Sequence, residues 1–162
     1  MSTAELWVEC VGIREGGTFP AEYTGRGEDR SPEFVLRNLS ARARTLAVTL
    51  EDVSHVIPGF CHWVIWNIPA AQRVPGGIAK GRRLPALGGA VQGLGYGLHR
   101  YAGPKPPRGK THRYRFTVYA LDCALNLGPW GGKRALLRRL EGHILQKGCV
   151  TAEFTSNAEI DG

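Results

Sequence analysis

Three stretches of the chain carry a hydrophobic pattern strong enough to name their structure. TLAVTLED, from Thr45 to Asp52, is a run of β-branched and aliphatic residues that ends on acids, the mark of a strand buried on at least one face. CHWVIWNIP, from Cys61 to Pro69, is a second such strand, stopped by a proline that has no N–H to donate. From His112 to Ala120 polar and apolar residues alternate with period two, and the aromatic and β-branched content suits a pleated, half-buried surface. Shorter strands are expected at Leu6 to Val11, at Glu33 to Leu39 and in the closing CVTAEFTS. In KRALLRRLEGHILQKG, Leu136, Leu137, Leu140, Ile144 and Leu145 recur at helical spacing between arginines, which predicts an amphipathic helix ending near Gly148.

Between these elements lie two long segments dense in turn formers. The first, GGTFPAEYTGRGEDRSPEF, reads as loop, and so does the glycine-rich excursion from Ala70 to Arg100. A third connection, GPKPPRGK, precedes the His112 strand. Pro104, Pro106 and Pro107 fix their φ angles there, so the loop is expected to be stiff and to deliver His112 at a defined place. No repeat or low-complexity tract is visible.

Composition narrows the picture. At 162 residues and 43% hydrophobic, the chain fits one domain, residues 1–162, with a sizeable core. No apolar run reaches the roughly 18 residues of a membrane span, and MSTAELWVEC has no basic region followed by an apolar one. A cytoplasmic protein without stable membrane insertion is expected. The net charge of +7 raises nucleic acid as a partner, but the basic residues fall in separate groups, which reads as solvated faces and argues against it. One group, Lys105, Arg108, Lys110, Arg113 and Arg115, lies on and after the stiff loop, where it would attract a small anion. Cys10, Cys61, Cys123 and Cys149 are scattered without a CxxC pair. They are expected to be reduced and mostly buried, and not to form a zinc cage.

The candidate chemistry sits at strand ends: Asp52 at the exit of one strand, His62 near the start of the next, His112 at the start of a third. Taken singly, each has an ordinary structural explanation, a turn aspartate or a half-buried histidine. Should they converge, two imidazoles and a carboxylate would suit an anion, with the acid fixing a tautomer, or a metal ion. The metal reading is disfavoured, because no HxH or HExxH occurs and His55, His99 and His143 show no grouping in the sequence. There is no GxSxG elbow and no Walker loop, and the glycines of GGAVQGLGYG do not link a strand to a helix as a dinucleotide site requires. Cys61 and His62, adjacent on a strand, point to opposite faces and make a poor catalytic pair.

Several ordered motifs together resemble a known family. Tyr23, Thr24, Gly27, Asp29, Ser31 and Pro32 within FPAEYTGRGEDRSPEF, the TLAVTLED and GFCHWVIWNIP pair, GPKPPRGKTHRYRFTVYALD and the late GHIL are similar to the phosphatidylethanolamine-binding proteins, in the bacterial and archaeal branch often called Raf-kinase-inhibitor-like. The likeness spans nearly the whole chain. It implies a mainly β fold with a large antiparallel sheet, a smaller second sheet and one or two peripheral helices. It also implies a small pocket for phosphate-like or carboxylate anions. Carried onto this sequence, the pocket residues would be Asp52, His62, His112 and Tyr114, with Phe60 as an aromatic wall and Pro106 and Pro107 as the loop lining; Lys105 is a neighbouring cation. The chain departs from the family's Asp-Pro-Asp-Ala-Pro, having Asp52, Val53, Ser54, His55 and Val56 there, so this rim should be less acidic and less rigid. Ser54 and His55 are expected to face water, the alternative being that they join the ligand contacts.

The resulting expectation is a binding protein, not an enzyme and without a cofactor, whose pocket holds a phosphate-like anion, a phospholipid headgroup or a phosphorylated peptide. The alternative is an interaction protein that inhibits a kinase or protease partner through the pocket rim; a phosphoester hydrolase ranks below both. The resemblance also suggests a homodimer.

Overall fold

The computed structural model describes residues 3–157. Its strands are β1 (Ala4–Glu5), β2 (Val8–Cys10), β3 (Phe34–Leu36), β4 (Thr45–Asp52), β5 (Phe60–Pro69), β6 (Arg73–Val74), β7 (Arg83–Leu84), β8 (Ala90–Gln92), β9 (Thr111–Leu121) and β10 (Ile144–Thr155), with one α-helix, α1 (Lys133–Leu140). Seven strands form a large sheet in the order β1-β10-β9-β4-β5-β8-β7, and β2-β3-β6 form a small one. The large sheet is antiparallel except at its edge, where β1 runs parallel to β10. The mainly β architecture implied by the motifs is therefore present, with this one parallel pair making the sheet mixed.

Period-two alternation on the central strands divides the core. Leu46, Val48 and Leu50 of β4 and Tyr114, Phe116 and Val118 of β9 pack on one face against Phe34, Leu36 and Val74 of the small sheet. Ala47, Val64, Trp66, Tyr119 and Leu121 pack on the other face beneath Leu136 and Leu140 of α1. Those two helix residues are four apart and fully buried, while Arg134, Arg138 and Arg139 turn outward.

Four sequence expectations change. The helix stops at Leu140, not Gly148: Gly142 takes a left-handed φ of 79°, and Ile144 onward is drawn into a long ladder with β9. Ile144 and Leu145 thus owe their apolar character to the sheet. Within the Leu6 to Val11 segment only Val8–Cys10 forms a strand, β2 of the small sheet, and a separate two-residue strand, β1, precedes it at Ala4–Glu5 in the large sheet. The Ala70 to Arg100 excursion contains β6, β7 and β8, which extend both sheets. Among the cysteines only Cys10 is buried; Cys61 and Cys123 are half-buried, Cys149 is exposed, and all four are free thiols.

Candidate functional site

At one end of the large sheet, β4 ends at Asp52, β5 begins at Phe60 and β9 begins at Thr111. Asp52 pairs across the ladder with both Phe60 and Tyr114, which brings an acid, an aromatic ring and a phenol to one spot on one face. His112, two residues from Tyr114, falls on the same face, and its Nδ1 lies 2.6 Å from Asp52 Oδ2. The other carboxylate oxygen, Oδ1, accepts the Ser54 N–H at 2.9 Å. Asp52 is thus buried with both oxygens in use as acceptors, one of them for the proton on His112 Nδ1.

His62 reaches the site through an irregularity in the ladder. Leu50 pairs with Trp63 and Glu51 with Cys61, so one step along β4 matches two along β5, and His62 is the unpaired residue of a bulge. In a regular strand His62 would point to the face opposite Trp63. The bulge turns it to the pocket side, where its ring meets Tyr114 edge-on at 5.4 Å, while Cys61 remains beside the α1 layer. His62 Nδ1 lies 2.9 Å from the carbonyl of Ala102. A carbonyl only accepts, so Nδ1 carries the proton and Nε2 is left as an acceptor. Burial pushes the His62 pKa below its ordinary value, against the opposing pull of its backbone carbonyl bonds and of Asp52. Burial, with Asp52 beside it, likewise raises Tyr114, which keeps its hydroxyl proton.

The segment that holds His62 is braced from the N-terminal signature. Asp29, itself at a left-handed φ of 57°, accepts the Gly103 N–H at 2.6 Å and pairs with Arg100; the Tyr101 hydroxyl donates to the Tyr23 carbonyl at 2.6 Å. A side chain at Gly103 would meet that same carbonyl at 2.2 Å, which explains the glycine. The proline loop is fastened from the other end of the chain. Ser156 exchanges backbone hydrogen bonds with Gly109 and Lys110, its hydroxyl donates to the Pro106 carbonyl, and Arg26 donates to both groups.

All eight residues singled out from the sequence, Asp52, His62, His112, Tyr114, Phe60, Lys105, Pro106 and Pro107, line one concavity of about 460 Å³. The sequence gives no sign of Tyr96, whose ring lies 5.1 Å from that of His62, whereas Lys110 of the loop's basic group and Val56 of the altered rim complete the lining. Tyr96 comes from the glycine-rich excursion, where no periodicity marks it. His55 does not simply face water: it stacks on Phe60 at 4.1 Å, and so thickens the aromatic wall. Ser54 Oγ accepts the Arg113 N–H, which fixes the turn after β4. A larger concavity of about 710 Å³ borders β1, β2 and β10, but no imidazole lines it, so chemistry and not size selects the site.

Comparison with known proteins agrees with this frame. A family model described as phosphatidylethanolamine-binding protein matches residues 12–155. The UPF0098 protein PH1269 of Pyrococcus horikoshii is 38% identical over 131 residues, covering 80% of this chain and 66% of its own, so the chain spans about two thirds of that relative's length. The UPF0098 protein YbhB of Escherichia coli is 32% identical over 151 residues, 88% of this chain and 96% of its own. Among solved structures, Escherichia coli YbcL, described as a member of the mammalian PEBP family, superposes with a TM-score of 0.81 at 26% identity over 94% of this chain and 99% of its own. The putative phosphatidylethanolamine-binding protein homolog CT736 of Chlamydia trachomatis gives 0.79 at 26% identity over 96% and 100%. With the motifs, the two sheets and the matched span in agreement, this chain belongs to the phosphatidylethanolamine-binding protein family.

Proposed function

We propose that the protein is a non-enzymatic binding protein whose pocket takes a small phosphate-like anion, free or as the head of a phosphorylated molecule. The observation that carries this reading is the pairing of His62 and His112, each with its Nδ1 proton committed to a fixed acceptor and each lining the same concavity beside Lys105 and Lys110. The two Nε2 atoms are then left to a ligand. Neutral, they accept a proton from it; protonated, they donate to it. Phosphate at neutral pH both carries a proton and bears charge, which suits this arrangement, and the lysines supply attraction. Hydrolysis through a covalent intermediate is a poorer fit: among the described residues no serine, threonine or cysteine side chain hydrogen-bonds either imidazole, so the Asp52–His112 pair faces no side-chain nucleophile.

Inorganic phosphate titrated into the protein, followed on the imidazole NMR signals, tests the proposal: shifts at both His62 and His112 are expected by millimolar phosphate, and silence at both would overturn it. Sulfate, which has no proton to offer at neutral pH, should bind more weakly than phosphate there and close the gap as the medium is acidified.

A second reading, an interaction protein that docks a partner on the rim, draws on the apolar residues around the pocket mouth: Val56 is 92% exposed, Ile57 56% and Tyr96 52%. A partner captured equally by the wild type and by His112→Ala would be using this rim and not the pocket. No helix among the described residues is long and apolar enough to cross a membrane.

A further inference from the structure

The far end of β9 carries a second cluster. Asp122 and Cys123 directly follow the strand and His143 directly precedes β10, and their carboxylate, thiol and imidazole donor atoms all lie within 4.8 Å of one another. His143 Nδ1 is 2.9 Å from Asp122 Oδ1. Ten residues of strand, at about 3.4 Å each, place this cluster roughly 34 Å from His112, so it is separate from the anion pocket.

We propose that Asp122, Cys123 and His143 form a site for a divalent transition ion of the zinc class, held by one oxygen, one sulfur and one nitrogen, with the fourth position left to water. Bonds of about 2.0–2.3 Å in tetrahedral geometry hold ligand atoms roughly 3.5 Å apart. The three donors, all within 4.8 Å of one another and with the imidazole and carboxylate already at 2.9 Å, lie near that spacing. The backbones beneath them are fixed. Asp122 N donates to the His143 carbonyl at 3.1 Å, His143 N donates to Leu140 at 2.9 Å, and the Cys123 carbonyl accepts the Thr45 hydroxyl at 2.7 Å. The donor set is that of a borderline-soft ion: a thiolate and an imidazole disfavour calcium and magnesium, while a single carboxylate leaves the bound centre close to neutral. Binding releases the Cys123 thiol proton to solvent, and with Nδ1 on the ion the imidazole proton resides on Nε2. Arg42 is the basic neighbour whose field reaches Asp122 and with which the ion competes. Three ligands on the half-exposed seam between β9 and β10 make an open site, suited to an ion that exchanges or that takes a further ligand from solvent.

Co²⁺ titration of the reduced, tag-free chain, read by absorption, tests this. Expected are a thiolate-to-cobalt charge-transfer band in the near ultraviolet, visible bands of a four-coordinate ion, saturation at one ion per chain, and bleaching by Zn²⁺. Cys123→Ser should abolish the charge-transfer band, and His143→Ala and Asp122→Ala, both at partly or fully exposed positions, should each weaken binding by at least about tenfold. His112→Ala should leave every signal unchanged. The proposal is overturned by absence of the band at millimolar Co²⁺, by its survival in Cys123→Ser, by undiminished affinity in both alanine variants, or by its loss in His112→Ala. None of these outcomes bears on whether the distant pocket binds phosphate.

Discussion

Asp52 Oδ2 and His112 Nδ1 stand 2.6 Å apart on neighbouring strands, a diagonal pair two residues removed from the direct Asp52–Tyr114 pairing. Because the second oxygen of Asp52 holds the Ser54 amide, the carboxylate cannot turn away, and the imidazole is held with its Nε2 outward. Asp52→Asn keeps an oxygen for Ser54 but presents an amide N–H₂ to His112. The histidine is then expected to switch its proton to Nε2, with a loss of about 1–3 kcal/mol in stability from the disrupted buried bond. Nitrogen-15 shifts of the His112 ring report the tautomer, and urea denaturation reports the energy.

His62 gives the fold a dependence on pH. Its pKa in the folded state lies below the roughly 6.5 of an unfolded chain, so below that value the unfolded state binds more protons. The contribution is fully present above about pH 6.5 and is lost as pH falls toward the folded pKa. Urea midpoints measured between neutrality and mild acid should therefore fall less in His62→Gln than in the wild type. An equal fall in both would show that His62 is not the buried neutral group described here.

Gly103→Ala should be costly, since its Cβ would lie 2.2 Å from the Tyr23 carbonyl, a backbone atom that has no room to retreat. A loss at or above the top of the roughly 1–3 kcal/mol range for overpacking is expected, with weakened phosphate binding through displaced Ala102. Gly128→Ala, where nothing lies within 4 Å, should be close to neutral and serves as the matched control. Thermal unfolding of the two variants makes the comparison.

Ser156→Ala removes the hydroxyl that bonds Pro106 and accepts from Arg26. The expected stability loss is modest, about 0.5–1.5 kcal/mol. The larger effect should be on the loop, seen as faster hydrogen exchange at the Gly109 and Lys110 amides and weaker anion affinity. Unchanged exchange at both amides would mean that the prolines alone hold the loop.

The strands that build the pocket were readable because each carries its own pattern: β4 was located residue for residue, and β5 and β9 to within one. The site residues followed from strand ends and family motifs. What stayed hidden depended on partners far along the chain. The first residues of β10, as far as Gly148, suit a helix as well as a strand because Ile144 and Leu145 fit both periods, and only the pairing with β9 decides between them. Tyr96 joins the pocket because its amide bonds the Cys61 carbonyl, a contact without local signature. His143 looked isolated because its partner Asp122 lies 21 residues earlier.

The bulge at His62 separates the site from the scaffold that carries it. Leu50 meets Trp63 and Glu51 meets Cys61, adjacent positions on β4 facing positions two apart on β5, so His62 is surplus to this step of the ladder. The imidazole is in this sense an addition to the ladder, made at the end of β5 nearest the pocket. Because the same residue accepts the Gly97 N–H on its carbonyl and holds Ala102 through its ring, one extra position in a strand both supplies the ligand-facing imidazole and moors the glycine-rich excursion that carries Tyr96.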